Sequence, residues 1–315
     1  MDIRRGKLQL LSYGLFLSCF LVMLSIYGWD LSKRLTVRRM DQEQEERKTL
    51  LDKMCDGNRE EFSDEIYQKL GHLIVDDLHG LIYCYVPKVA CTNIKKIIYV
   101  LLKGEPYGDP RNVTAAVHGN SLPFLKTMPR NEIKAKLKHY TKFLFVRDPF
   151  IRLISAYRNK FLSNNQLFYH GPGRYILRRF ANYSDPPETA KEALALGLQV
   201  SFYNFIQFVL EKGLIQQSMN EHWNQMNRLC SPCLIQYDFI GHQETMQEDI
   251  EHLLKILKLQ DDIKVPPSYV NVTTKDSVMT WFKTVPLEDR RSLYKIYEKD
   301  FKLFGYRKPD ELLTG

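Results

Sequence analysis

Leu81-Ile-Tyr-Cys-Tyr-Val86 runs directly into Pro87-Lys-Val-Ala-Cys-Thr-Asn93, and this junction decides the fold class. Six apolar, β-forming residues in a row read as a buried strand. From Thr92 to about Leu102 the apolar positions recur at helical spacing, so the strand passes through a tight turn into a helix. Strand, turn and helix form the repeating unit of a parallel α/β sheet. At such a turn the first N–H groups of the helix and the positive end of its dipole converge on any anion present. Lys88 adds a full charge there and Thr92 a hydroxyl. The pattern Gly-x-x-x-x-Gly-Lys-[Ser/Thr] is absent, so this is not a Walker A loop. Alone, the segment reads equally well as an ordinary strand-to-helix connection.

A second unit repeats the plan. Lys142-Phe-Leu-Phe-Val146 reads as a strand, and from Pro149 the residues Phe150, Ile154, Tyr157 and Phe161 share a helix face. Between them, Asp148 suits a helix cap and Pro149 the first helical position. That arrangement holds Arg147 at the sheet edge, where a two-pronged contact to phosphate is natural, with Ser155 two turns into the helix. Read alone, it is a capped helix with an exposed arginine. Gln236 to Ile240 reads as a third strand, Met246, Ile250, Leu253 and Leu257 as a helix face, and Pro286 to Phe301 as a closing helix. The aromatic run Ser201 to Leu210 reads as core.

With 44% hydrophobic and 12% aromatic residues, the 315-residue chain is too apolar to be disordered. Its formal charge of +8 favours an anionic partner without choosing one. From Leu8 to Trp29 there are about twenty residues without a charge, the length that spans a bilayer as a helix. No alanine precedes Ala90, which argues against a cleaved signal peptide and for a retained anchor. Arg4, Arg5 and Lys7 before this span balance Lys33, Arg34, Arg38 and Arg39 after it, so charge does not fix the orientation. Three glycosylation sequons, Asn112-Val-Thr, Asn182-Tyr-Ser and Asn271-Val-Thr, all follow the span and point to a lumenal carboxy-terminal domain. The expected layout is a cytoplasmic tail over residues 1–7, an anchor over 8–29, a stem over 30–61 and a lumenal domain over 62–315.

The stem carries the run Asp41-Gln-Glu-Gln-Glu-Glu-Arg-Lys and too few heptads for a coiled coil, so a solvated spacer is expected, with a homodimer left open. Five cysteines follow the anchor: Cys55, Cys84, Cys91, Cys230 and Cys233. Disulfides with at least one thiol left over are expected. Cys230-Ser-Pro-Cys233 has no second Cys-x-x-Cys or paired histidines, which argues against zinc.

Taken together and in order, the two turns resemble the donor-binding signatures of the membrane-bound carbohydrate sulfotransferases. The branch is the one acting on chondroitin, dermatan and related N-acetylgalactosamine or glucuronic acid termini. The resemblance is carried by Tyr85-Val-Pro-Lys-Val-Ala-Cys-Thr-Asn93, Phe143-Leu-Phe-Val-Arg-Asp-Pro-Phe150, Ser155-Ala-Tyr-Arg-Asn-Lys-Phe161 and Cys230-Ser-Pro-Cys-Leu-Ile-Gln-Tyr-Asp-Phe239. It covers roughly residues 62 to 306. It implies a P-loop-like parallel sheet flanked by helices, a Golgi location, and 3′-phosphoadenosine 5′-phosphosulfate (PAPS) as co-substrate without a metal. In that reading Pro87, Lys88, Val89, Ala90, Cys91, Thr92 and Asn93 hold the 5′-phosphosulfate. Arg147, Asp148, Pro149, Phe150, Ile151, Arg152, Leu153, Ile154 and Ser155 form the 3′-phosphate segment, with Arg147 and Ser155 making the main contacts. Ile94 departs from the branch, which usually carries tryptophan there.

Sulfuryl transfer, like phosphoryl transfer, needs in-line positioning and charge stabilisation more than covalent help. Lys88 suits the leaving phosphate oxygen. The acceptor hydroxyl needs a base, and of eight histidines His118, between the two turns, is the expected one, ahead of His139, His222 and His242. Arg152, Arg158, Lys160, Arg174, Arg178 and Arg179 are the densest basic group and suit an anionic glycan acceptor rather than nucleic acid. The acceptor most in keeping with the resemblance is the 4-position of N-acetylgalactosamine in chondroitin or dermatan; terminal sugars of glycoproteins are the alternative. Rivals are a P-loop NTPase, opposed by the missing Walker glycines, and a non-catalytic glycan-binding membrane protein, opposed by intact Lys88, Arg147 and Ser155.

Overall fold

The computed structural model describes residues 2–57, 66–114, 117, 121–214, 219–267 and 275–314. The chain divides into two compact units, residues 1–46 and 47–315. The first lies within helix α1 (Asp2–Cys55), supported on its surface by ion pairs at helical spacing, Asp30 with Arg34 and Arg39 with Glu43. Among the described residues no helix is long and apolar enough to cross a membrane. The charge-free stretch is helical, and its described side chains, including Phe20, Ile26 and Trp29, are exposed.

The second unit begins at Arg47, ahead of the boundary expected at residue 62. The expected solvated spacer is helical as far as Cys55. Leu51 and Cys55 are buried in the core, and Arg47 donates to the Ile240 carbonyl and the Asp249 carboxylate. The charge-rich run conceals this, because its few apolar and basic contact positions find partners some two hundred residues away.

Four strands form one sheet in the order β1 (Leu73–Asp76), β2 (Leu81–Cys84), β3 (Thr141–Val146) and β4 (Phe239–His242). β2, β3 and β4 are parallel, as the strand-turn-helix units require. β1 pairs antiparallel with β2, so the sheet is mixed rather than wholly parallel. The cause is a tight turn at 77–80: Asp76 accepts the Leu78 N–H and Gly80 takes φ +63°, returning the chain at once. β4 pairs from Phe239, opposite Phe143, later than the expected Gln236. Gly241 in β4 lies against the Phe145 ring, where a Cβ would collide.

Helices α2 (Cys91–Leu101) and α3 (Arg130–His139) precede β3, and α4 (Pro149–Phe161) follows it. One apolar core surrounds the sheet. A second, largely aromatic, joins α4 to α5 (Phe202–Leu214), α6 (Lys275–Phe282) and α7 (Leu287–Leu303) around Tyr157, Phe161, Phe205 and Trp223. The aromatic run is core, as its composition suggests, and both cores bind α4 and the end of β2 into fixed positions.

Candidate active site

Beyond β2 the backbone turns through two non-glycine residues with positive φ, Lys88 at 74° and Ala90 at 57°. Such conformations cost on the order of 1 kcal/mol each for residues with a Cβ. Ala90 is the N-cap of α2 and offers no side-chain hydrogen bond. The helix thus starts without a side-chain cap, on a backbone held in a strained curve, with the Asn93 N–H donating to the Ala90 carbonyl at 3.0 Å. Val89 and Asn93 are buried and anchor the turn from behind.

The turn after β3 is built differently. Asp148 accepts from the N–H groups of Phe150 and Ile151 at 2.9 and 3.0 Å, and Pro149 takes the first helical position. Burial pushes the Asp148 carboxyl up, and those two N–H groups work against that rise. The Asp148 N–H donates to Glu244, whose other oxygen accepts from the Tyr306 hydroxyl at 2.9 Å. Arg147 is buried and donates through Nη1 to the Lys88 carbonyl at 3.1 Å. The two segments singled out in the sequence therefore meet in one place.

Arg152 lies one turn into α4 and is fully buried. Its Nε donates to the Pro87 carbonyl at 2.9 Å, Nη1 to Asn224 at 2.6 Å and Nη2 to Glu221 at 2.7 Å. This guanidinium clamps the first turn to the 221–224 loop. The loop is fixed on its far side by Asp300, which accepts from the N–H groups of Met226 and Asn227. A disulfide between Cys84 and Cys230 and another between Cys55 and Cys233 complete the attachment, with Cys91 left as a buried free thiol. The two cysteines of the Cys-x-x-Cys motif thus serve separate disulfides, and no metal-holding cluster occurs among the described residues.

Electrostatics follow from this convergence of cations. Burial, reinforced by Lys160 and by Arg147 and Arg152, pulls the Lys88 ammonium down to about 8. Burial likewise lowers Lys160 and Lys95 and raises the Cys91 thiol. Lys95 lies 3.5 Å above the Tyr85 ring, and the Tyr85 hydroxyl donates to Glu221 Oε2 at 3.0 Å. His72 stacks on Tyr85 with ring centroids 4.5 Å apart. Its Nδ1 lies 3.2 Å from the Tyr85 carbonyl and its Nε2 3.9 Å from Glu221 Oε2, and burial holds its imidazole below the usual range.

Of the remaining expected residues, Lys160 approaches Lys88 and Ser155 is half-buried on α4. Arg174 donates to Glu188 and to the Pro186 carbonyl; Arg158 and Arg178 are exposed. Asn112 and Asn182 are exposed, and Asn271 lies outside the described residues. His118 also lies outside them. His139 is exposed at the end of α3 and His222 is half-buried against Phe168. His242 is stacked on Tyr306, and burial holds it down at about 3. Sequence reasoning did not single out Glu221, His72 or Lys95, which meet at Tyr85 from separate parts of the chain.

Comparison with known proteins accords with this geometry. The model of the sulfotransferase family matches residues 71–307. Mouse carbohydrate sulfotransferase 12 is 45% identical over 309 residues, covering 91% of this chain and 74% of its own. The frog Xenopus laevis protein of the same name is 45% identical with the same coverage, and rat carbohydrate sulfotransferase 11 is 39% identical over 77% of this chain and 69% of its own. No solved structure matches. The uncapped turn at Lys88, the arginine that reaches it from the next turn and the match across residues 71–307 lead to one conclusion: the chain belongs to the sulfotransferase family and is an enzyme of sulfuryl transfer.

Proposed function

We propose that this enzyme moves a sulfuryl group from PAPS to a glycan hydroxyl, the 4-position of N-acetylgalactosamine in chondroitin or dermatan, in the Golgi lumen. The observation that carries the reading is the hydrogen bond from Arg147 to the Lys88 carbonyl, which makes one site of two segments 59 residues apart. The names of the relatives and the sequence resemblance support the glycan acceptor.

The residues present fit the donor. The uncapped N-terminus of α2 and the strained turn from Pro87 to Asn93 offer N–H groups and Lys88 to the 5′-phosphosulfate. Arg147 and Ser155 are assigned the 3′-phosphate. When bound, the donor supplies a sulfur already joined to a good leaving group. Lys88, at about 8, is largely protonated in a neutral lumen and neutralises charge growing on the leaving phosphate oxygen. Burial around the turn removes water and strengthens each of these interactions. A type II anchor over residues 8–29 and glycans on Asn112, Asn182 and Asn271 belong to the same reading, supported by the exposed apolar residues from Phe20 to Trp29 and by exposed Asn112 and Asn182.

The test is transfer of radiolabelled sulfate from PAPS to chondroitin, dermatan, desulfated heparin and N-glycan acceptors, followed by disaccharide analysis. Label in 4-sulfated N-acetylgalactosamine is the expected result. Label confined to another sugar or position would overturn the acceptor assignment, and none on any acceptor would overturn the reaction.

A further inference from the structure

We infer that Glu221 is the catalytic residue that takes the proton of the acceptor hydroxyl, held for that task by Tyr85 and faced by His72. The inference rests on the donor reading above. It starts from where the loop is pinned. The Arg152 guanidinium touches the carbonyls of Pro87 and Glu221 at 2.9 and 2.7 Å, so Glu221 is fixed beside the turn that carries Lys88. The Cys84–Cys230 disulfide ties the short helix that follows this loop, Met226–Cys230, to the residue preceding Tyr85.

The Glu221 side chain is 36% exposed, open enough to meet a sugar while one oxygen is held in place. Oε2 accepts from the Tyr85 hydroxyl, and the Tyr85 ring is itself in contact with the Lys95 ammonium and with the tilted His72 ring. A carbonyl only accepts, so the His72 contact to Tyr85 O requires a proton on Nδ1. In neutral His72 the lone pair of Nε2 then faces Glu221 Oε2 across 3.9 Å, a separation that the two acceptors cannot bridge themselves and that a donor hydroxyl can. The charged and titratable groups facing Glu221 are Tyr85, His72, Cys91, Lys95, Lys160 and the Arg152 guanidinium.

The step balances. The acceptor oxygen bonds to sulfur as the bond from sulfur to the phosphate oxygen breaks. The hydroxyl proton passes to Glu221, and the electron pair of the broken bond stays on the phosphate oxygen beside Lys88. The products are the sulfate ester and adenosine 3′,5′-bisphosphate, and Glu221 returns its proton to water.

The experiment compares Glu221→Gln, Tyr85→Phe and His118→Ala with the parent enzyme for kcat, pH–rate profile, Tm and calorimetric adenosine 3′,5′-bisphosphate affinity. Glu221→Gln keeps an acceptor for Tyr85 and loses basicity, so kcat falls about a hundredfold or more while bisphosphate affinity stays within about twofold. Its profile loses the acid limb. Tyr85→Phe retains the carboxylate without its hydrogen bond, so the acid limb moves to higher pH; this variant decides the matter if Glu221→Gln does not fold. Near-parental turnover of Glu221→Gln, an unmoved limb in Tyr85→Phe, equal loss of bisphosphate affinity, or loss of the limb in His118→Ala instead would each overturn the inference. Failure of the donor reading registers separately, as undiminished bisphosphate binding by Lys88→Ala.

Discussion

The two strand-to-helix turns occupy equivalent places, at the ends of adjacent parallel strands, and are built on opposite principles. After β3, Asp148 and Pro149 satisfy the helix start from within, and no residue of that turn has a positive φ. After β2, the helix start has no side-chain cap and the backbone carries two strained residues. The self-sufficient turn is the scaffold, since its Arg147 and, one turn on, Arg152 both reach across to hold the carbonyls of the other. In the proposed reading the strained turn meets the 5′-phosphosulfate, while the second turn supports it and adds Arg147 to the 3′-phosphate contact; substitutions at Arg152 and at Lys88 should separate support from binding.

The largest effect is expected at Arg152. Arg152→Ala leaves three inward-facing carbonyls without their donor, a cost on the order of 3 kcal/mol or more, or roughly 6–12 °C in Tm for a unit of this size. A thermal melt showing an unchanged Tm would remove the scaffold from the comparison. Lys88→Ala should do the reverse, lowering kcat/KM about ten- to a hundredfold with little change in Tm, as steady-state assays below the parental KM for PAPS would show.

Lys88 also gives the comparison a pH signature. Its folded value of about 8 lies below the ordinary lysine value of 10.5, so below pH 8 the donor-free enzyme bears the full cost of a buried charge. The unfolded chain binds the extra proton between those values, and stability from this group therefore rises with pH across that window. A bound phosphate restores the charge. Calorimetry of adenosine 3′,5′-bisphosphate at pH 9 in buffers of different ionisation enthalpy should register proton uptake, absent in Lys88→Ala.

Asp148→Ala removes the cap at a cost of about 0.5–2 kcal/mol, read as a lower denaturation midpoint. The smallest change is expected at Ala90→Gly, which relieves a positive φ and raises the midpoint by less than about 1 kcal/mol without raising activity. A loss of stability there would show that the curve at Ala90 is not strained.

What could be read from the sequence is what local pattern encodes. The apolar runs at Leu81 and Lys142, the helix faces after them and the order of the two turns carried the fold class and picked out two segments that meet in the structure. The antiparallel β1 escaped because a four-residue strand closed by a short turn leaves almost no period to detect. Arg147 and Arg152 look alike in sequence, and only the carbonyls around them distinguish one role from the other. Glu221 meets Tyr85 across 136 residues, and the disulfides span 146 and 178, separations that no local motif records. Arg174 illustrates the same limit, a buried basic residue in a basic stretch whose pairing with the exposed Glu188 no local pattern records.

The Cys55–Cys233 disulfide gives proteolysis an uneven outcome along the chain. A cut on the amino-terminal side of Arg47 would release the second unit whole, with Arg47 and Leu51 still in place. A cut between Cys55 and Leu70 would release nothing: both pieces would migrate as one species without reductant and as two with it. Release of the second unit therefore depends on which side of Cys55 a protease acts.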